Sequence, residues 1–189
     1  MNPLSPAVRL VIFFGAWLVW ASALVVLRNQ RREKAVRVDP KGRWGIALQM
    51  AGFALACMHG PEVWNSDLEV WRAVAGCALA LFSIALFWNA VASLGRQWRF
   101  DAGLNQDHEL VQVGAYRIVR HPIYASMLAM LLADICWVGT LPGWPIALVL
   151  CLAGTEIRVR VEDRLLRDRF GERFIEWQKT KPAYLPFLR

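Results

Sequence analysis

Long stretches without a charged residue are the feature that most constrains this chain. Three of them cover positions 10–27, 44–61 and 73–95. Apolar runs of about 18 residues or more are candidate membrane-spanning helices. A fourth apolar region, 122–155, is broken only by Asp134 and holds a Gly/Pro turn signal in its middle, which predicts a helical hairpin.

These runs predict an all-α, integral membrane bundle of about five transmembrane helices, folded as a single domain over residues 1–189. The composition agrees, because 57% of residues are apolar and 20% charged, against about 45–50% and about 25% in soluble domains. High hydrophobicity also excludes a disordered chain. The expected spans are 8–27, 44–61, 72–95, 122–138 and 144–158, followed by a cytoplasmic, interfacial C-terminal helix over 159–178.

Basic residues predict the orientation of the bundle. Of the 22 Lys and Arg residues, 20 lie in the stretches 28–43, 96–120 and 158–189. The positive-inside rule then places the N-terminus outside and the C-terminus in the cytoplasm, and we expect a bacterial inner membrane. Anionic lipid accounts for this charge, so nucleic acid is not an expected partner. A cleaved signal peptide ending at 21–23 is the weaker alternative, because basic residues follow the first run.

The cysteine spacing and the lack of nucleotide-binding motifs argue against several kinds of site. The four cysteines lie in apolar runs without C-x-x-C spacing, which predicts neither disulfides nor a metal site. The sequence also lacks a P-loop and a G-x-G-x-x-G after a strand. A nucleotide-type cofactor would therefore bind without a Rossmann domain.

Polar, motif-like sequence is concentrated in the stretches 94–124 and 156–177, which flank the expected hairpin and so emerge from the membrane side by side. Pro122 suits the first turn of a helix and keeps His121 extended just before it. The N-terminus of that helix suits an anion such as a carboxylate. A membrane-entry turn with interfacial Tyr side chains is an equally good interpretation of this stretch.

Arg158 and Glu162 are four residues apart and share one face of a helix where the fifth span leaves the membrane. A charged pair at membrane depth is a functional hypothesis by default. The alternative is a surface ion pair, which contributes little.

The two stretches together resemble the isoprenylcysteine carboxyl methyltransferase family, to which the phospholipid N-methyltransferases are related. The resemblance rests on the run from Leu110 to Tyr124, with Arg120-His121-Pro122-x-Tyr124 at its end, and on Arg158-x-x-x-Glu162-Asp163 followed by Phe170-Gly171-Glu172. It implies S-adenosylmethionine as cofactor, with S-adenosylhomocysteine as product, and a site formed by the cytoplasmic loop and C-terminal helix. The residues expected at the cofactor are His108, Leu110, Val111, Gly114, Tyr116, His121, Pro122, Ile123, Tyr124 and Glu162. The family often has Glu at position 163 and Tyr at 174 and 177, where this chain has Asp, Phe and Trp.

Arg158 and Glu162 are the expected catalytic residues. In the family the Arg faces the substrate, and a cation there suits a carboxylate, which is ionised at neutral pH and requires no general base. We therefore expect O-methylation of a lipid-like or lipidated carboxylate at the interface between the membrane and the cytoplasm. N-methylation of a phospholipid amine is the alternative, and an NADPH-dependent membrane reductase or a non-enzymatic membrane protein are the other classes. The sequence leaves the oligomeric state open.

Overall fold

The computed structural model describes residues 5–26, 35–58, 68–138 and 143–185. Within these ranges the chain forms six α-helices and one two-stranded antiparallel sheet. The helices are α1 (Pro6–Val26), α2 (Gly42–Cys57), α3 (Val70–Leu94), α4 (Pro122–Val138), α5 (Gly143–Phe170) and α6 (Glu172–Thr180). The strands are β1 (Ala35–Val38) and β2 (Gly103–Asn105), and short 3₁₀ turns cover Gly95–Gln97 and Gly114–Arg117.

The helical class expected from the apolar runs is confirmed, with the small sheet as an addition. β1 and β2 come from the two polar loops that precede α2 and follow α3, and they pair Ala35 with Asn105 and Val38 with Gly103. Asp39 continues this pairing, since its N–H donates to the carbonyl of Ala102 at 3.1 Å. The sheet therefore ties the two loops together at one end of the bundle.

Among the residues that the structure describes, two helices are long and apolar enough to cross a bilayer, α1 and the stretch that begins with α3. Their outer faces carry exposed apolar side chains such as Val11, Leu18 and Leu81, which is typical of lipid-facing helices. α4 is apolar but has 17 residues, and α2 has 16. The count of five spans and the orientation stay predictions.

The helix does not end near residue 158, where the expected fifth span ends and the expected C-terminal helix begins; the end of the span itself stays a prediction. α5 continues without a break from the apolar hairpin into the charged segment and ends at Phe170. The chain turns at Gly171, where φ is +55°, and the shorter α6 begins at Glu172. No Gly or Pro lies between 155 and 170, so the helix has no reason to end where the bilayer is expected to end.

α6 packs onto the bundle through Phe174 and Trp177, which are both buried. The other signals that supported the predicted layout, the turn at 139–142 and the basic residues at 28–34, lie outside the described residues.

Close contact between α2 and α5 fixes the position of the Arg158 side chain. A Cβ atom at Gly45 would lie 2.7 Å from the carbonyl oxygen of Gly154 and 2.6 Å from Cγ of Arg158. Small residues at such crossings let helix backbones approach closely. Gln49 donates from Nε2 to Thr155 Oγ1 at 2.9 Å across the same interface. The Arg158 side chain is thus held against α2 and pointed towards the end of the bundle that carries the sheet.

Candidate functional site

The loop before α4 is shaped by a tight turn at Gly114, where φ is +58°. The turn brings the Ala115 N–H within 2.6 Å of Asn89 Oδ1 on α3, so a polar side chain inside an apolar helix anchors the loop. Tyr116 follows directly and is buried, with its side chain at the wall of a cavity. Gly114 itself does not line that cavity, and its role in the structure is to form the turn.

α4 begins at Pro122, as predicted, and His121 lies just before it. The His121 N–H does not point to an open anion site, because it donates to the carbonyl of Ala183 at 2.7 Å. The Arg120 N–H donates in the same way to Pro182 at 2.9 Å. A C-terminal segment that follows α6 therefore backs this turn, and Pro122 does not line the cavity.

Arg158, Glu162 and Tyr124 form one hydrogen-bonded group. Arg158 donates from Nε to the Tyr124 hydroxyl at 2.7 Å and from Nη2 to Glu162 Oε1 at 3.1 Å. The Tyr124 hydroxyl in turn donates to Glu162 Oε1. Arg158 Nη2 also donates to the Phe100 carbonyl at 3.1 Å, which links the loop after α3 to the group. Arg158 and Glu162, which are four residues apart in the sequence, are therefore in contact, and Tyr124 of α4 contacts both.

His121 lies between two carboxylates. Its Nδ1 is 3.4 Å from Glu162 Oε2, and its Nε2 is 2.8 Å from Asp163 Oδ1. Arg120 completes the group by donating from Nη1 to Asp163 Oδ1 at 2.6 Å. Four adjacent charged side chains from two chain segments 40 residues apart are thus paired at one end of the cavity.

The charges in this group stabilise one another. Burial alone would raise the pKa of Glu162, but hydrogen bonding to His121 and the charge of Arg158 hold that pKa below its usual range. Burial alone would lower the pKa of His121, but its bonds to Asp163 and Glu162 raise it. At neutral pH the arrangement favours an imidazolium ring next to an ionised Glu162.

A cavity of about 260 Å³ opens in front of this group. Its polar end is formed by His108, His121, Arg158 and Glu162. Its other end is apolar and aromatic, and is lined from α1, α2 and α3 by Trp17, Trp20, Leu24, Ile46, Met50, Phe53 and Phe87. Pockets that bind small molecules are mostly apolar with a few placed polar groups, and this cavity has that character.

The structure brings nearly all of the sequence-predicted site residues to this cavity. They are His108, Leu110, Val111, Tyr116, His121, Ile123, Tyr124, Arg158 and Glu162. Gly114 and Pro122 are near the cavity but shape the backbone instead. Whether any of these residues binds a ligand stays a prediction.

His108 differs from His121 in that its ring is neutral. Its Nδ1 is buried and has no hydrogen-bond partner in the part of the chain that the structure describes. Burial, together with the charges of Arg169 and Arg99, lowers its pKa to about 4. His108 is therefore a neutral ring at the cavity wall, available to a polar ligand.

Two groups of residues at this site were not predicted from the sequence. The first is the buried pair Arg120 and Asp163, of which Arg120 lines the cavity and Asp163 does not. Asp163 was noted only as a departure from the family pattern. The second is the aromatic end of the cavity, for which the Trp and Phe residues in the first three apolar runs were the available signal.

Comparisons with known proteins identify the family of the chain. The family model for phospholipid methyltransferases matches residues 71–173, which is more than half of the chain. The chain therefore belongs to this family. The matched region includes the polar stretch 94–124 and most of the stretch 156–177.

Curated relatives include two protein-S-isoprenylcysteine O-methyltransferases. The Xenopus laevis protein is 28% identical over 129 residues, or 63% of this chain and 42% of that protein. The Arabidopsis thaliana protein B is 24% identical over 121 residues, or 62% of this chain and 61% of that protein. This chain thus spans less than two thirds of either relative. The nickel-cobalt-cadmium resistance protein NccN of Alcaligenes xylosoxydans xylosoxydans is 27% identical over 78% of this chain and 64% of its own length.

The fold is that of a solved eukaryotic intramembrane Ras methyltransferase, isoprenylcysteine carboxyl methyltransferase. The TM-score is 0.66 at 17% identity, and the match covers 98% of this chain and 69% of that one. The likeness of fold therefore extends over nearly the whole chain.

Proposed function

We propose that this chain transfers a methyl group from S-adenosylmethionine to a carboxylate on a lipid-like acceptor, at the cytoplasmic surface of a membrane. Membership of the phospholipid methyltransferase family and the names of the two isoprenylcysteine relatives support the reaction class. N-methylation of a lipid amine is the reaction that the experiment below distinguishes from it.

The observation that carries the proposal is the state of Arg158. Its Nη1 is buried and has no hydrogen-bond partner among the described residues, while its other two nitrogens are bound to Tyr124, Glu162 and Phe100. A buried donor without a partner costs stability, and this one belongs to a side chain that lines the cavity. A carboxylate oxygen would satisfy it, whereas an ammonium group would be repelled.

The residues at the cavity also suit S-adenosylmethionine. Glu162 lines the cavity with its side chain one-quarter exposed, so its negative charge is available to a sulfonium. Tyr116, Leu110 and Val111 offer an aromatic and apolar wall for an adenine ring, and His108 offers an unpaired ring nitrogen. When bound, the cofactor would supply a methyl group made electrophilic by the positive sulfur.

The contribution of the chain to such a transfer is mainly to hold two reactants in line. Arg158 would orient the acceptor carboxylate through Nη1. Tyr124 and Glu162 would keep the guanidinium fixed, because both hydrogen bond to it. No side chain has to remove a proton, since the acceptor oxygen is already ionised.

The aromatic end of the cavity would hold the apolar part of the acceptor. It is formed by the helices with lipid-facing outer surfaces, α1 and α3, together with α2. The polar end lies next to the small sheet and the charged half of α5. An amphiphilic acid with its carboxylate at Arg158 would match both ends.

The test is methyl transfer from labelled S-adenosylmethionine by the full chain in lipid nanodiscs. The acceptors are an N-acetyl-S-farnesyl cysteine, a long-chain fatty acid and phosphatidylethanolamine. The variants are Arg158→Gln and the matched control Arg160→Gln, which removes an arginine two residues away whose side chain is 69% exposed. We expect label in a carboxyl ester, reduced about 10- to 150-fold by Arg158→Gln because a charge-assisted contact contributes about 1.5–3 kcal/mol, and unchanged by Arg160→Gln.

Label in the amine of phosphatidylethanolamine, with no ester formed, would show that the acceptor is an amine and not a carboxylate. Equal losses of methyl transfer in the two arginine variants would show that Arg158 has no specific role in the reaction. Absence of any transfer by wild type that also fails to bind the cofactor would overturn the methyltransferase proposal.

A further inference from the structure

The carboxylate of Asp163 lies behind His121 and does not line the cavity. Its side chain is 6% exposed. Three side chains donate to it: Arg120 Nη1 at 2.6 Å, His121 Nε2 at 2.8 Å and Gln178 Nε2 at 3.0 Å. The two oxygens of this carboxylate therefore join α5, α6 and the segment that enters α4.

The backbone of the C-terminal segment reinforces the same group. The carbonyl of Ala183 accepts from the His121 N–H, and the carbonyl of Lys181 accepts from Arg120 Nε at 3.0 Å. His121 is thus fixed at two points, by its own backbone N–H and by its ring Nε2. The remaining ring nitrogen, Nδ1, faces Glu162 at 3.4 Å.

We propose that Asp163 is a positioning residue, which orients the His121 ring so that Nδ1 holds the Glu162 carboxylate towards the cavity. This inference rests on the proposed function, since Glu162 is the group expected at the cofactor sulfonium. Asp163 touches neither the cavity nor any bound reactant. It acts through His121, and Gln178 and Arg120 act with it.

An ion pair between Arg120 and Asp163 would not by itself require this geometry. Arg120 binds Asp163 through Nη1, and its Nε is already satisfied by Lys181. Because Asp163 also accepts from His121 Nε2, its position affects the orientation of the His121 ring. The ring in turn contacts Glu162 through Nδ1. A ring with its two nitrogens on two different carboxylates has one orientation that satisfies both.

The charged and polar groups that face His121 come from every element around it. Glu162 and Asp163 lie on α5, the Tyr124 ring is on α4 with its centroid 5.9 Å away, and the Ala183 carbonyl belongs to the C-terminal segment. Both carboxylates raise the pKa of His121. Loss of the Asp163 charge should therefore lower that pKa and leave Glu162 with a neutral neighbour at pH 7.

The first measurement is a histidine-selective NMR titration of the full chain in detergent, which needs no cofactor. The sequence has three histidines, so the His121 signal is assigned by comparison with His121→Gln. We expect Asp163→Asn to move the His121 titration down by about one to two pH units. Asp163→Glu, which keeps the charge, should restore most of the shift, and Glu176→Gln, which removes an exposed acid of α6, should leave it unchanged.

The second measurement is S-adenosylhomocysteine affinity between pH 6 and 8. Wild type should bind with nearly constant affinity, while Asp163→Asn should lose about tenfold as the pH rises, because His121 loses its proton in that range. A purely structural role would lower the melting temperature without changing this pH profile.

An unchanged His121 titration in Asp163→Asn would overturn the proposal. If that variant does not fold, Gln178→Leu takes its place, because it removes one donor and leaves the Arg120 pair intact. A His121 titration identical to wild type in Gln178→Leu would overturn it equally. Failure of wild type to bind S-adenosylhomocysteine would count against the proposed function instead, and the NMR titration would still decide the role of Asp163.

Discussion

Replacing Gly114 by alanine tests whether this glycine acts through the backbone turn rather than through contact with a ligand. Its φ of +58° is a conformation that an alanine rarely adopts. The new Cβ would lie 2.2 Å from Ser93 Oγ and 2.6 Å from Asn89 Oδ1. Both atoms would have to move, and Asn89 Oδ1 is the acceptor that anchors the Ala115 N–H.

The magnitude follows from these contacts. Positive φ costs a non-glycine residue about 1–2 kcal/mol, and overpacking costs about 1–3 kcal/mol. Loss of the hydrogen bond from Ala115 adds about 1 kcal/mol. Together these terms predict a loss of roughly 3–6 kcal/mol, which for a domain of this size lowers the melting temperature by at least about 6 °C.

The assay is thermal unfolding in detergent, followed by intrinsic tryptophan fluorescence. Gly171→Ala is the matched control, because its φ is +55° but no atom lies within 4 Å of the added Cβ. The double variant Ser93→Ala/Gly114→Ala should recover part of the loss, since it removes the nearest clashing atom. A melting temperature for Gly114→Ala within about 2 °C of wild type, or equal to that of Gly171→Ala, would refute the reasoning.

Two further predictions concern the crossing of α2 with α5 and the neutral histidine. Gly45→Ala would place a methyl group 2.6 Å from Cγ of Arg158 and should reduce methyl transfer at least about tenfold. The control Gly15→Ala, whose added Cβ has no atom within 4 Å, should leave methyl transfer unchanged. Equal activities of the two variants would contradict this prediction. The folded chain keeps His108 neutral down to about pH 4, while the unfolded chain binds its proton below about pH 6.5. Stability should therefore fall as the pH is lowered through that window, and less steeply in His108→Gln; identical slopes of melting temperature against pH in the two proteins would argue against a buried, neutral ring.

Local rules predicted the parts of the site that depend on neighbouring residues. Pro122 begins α4 because a proline is tolerated in the first turn of a helix, and Arg158 meets Glu162 because residues four apart share a helical face. Gly114 was expected at the cofactor, which stays a prediction, and the turn that it forms brings the Ala115 N–H to Asn89 Oδ1. That role depends on α3 packing beside the loop, which no local pattern contains.

The rest depends on contacts between distant segments. The pairing of Asp163 with Arg120 and Gln178 joins three elements, and the β1–β2 sheet joins strands of four and three residues in polar loops. The continuous α5 has a different origin. Charged residues after 155 mark where the chain is expected to leave the bilayer, but they are good helix formers, so the end of a span does not imply the end of a helix.

The central claim is that the cavity binds S-adenosylmethionine with Glu162 at its positive sulfur, and calorimetry on the detergent-purified full chain tests it most directly. The comparison is wild type, Glu162→Gln and the control Glu156→Gln, which changes an acid on the same helix that pairs with the exposed Arg160. Micromolar binding in wild type and in Glu156→Gln, weakened at least about tenfold in Glu162→Gln, is the predicted result. Absence of binding by well-folded wild type, or equal binding by all three proteins, would contradict the account.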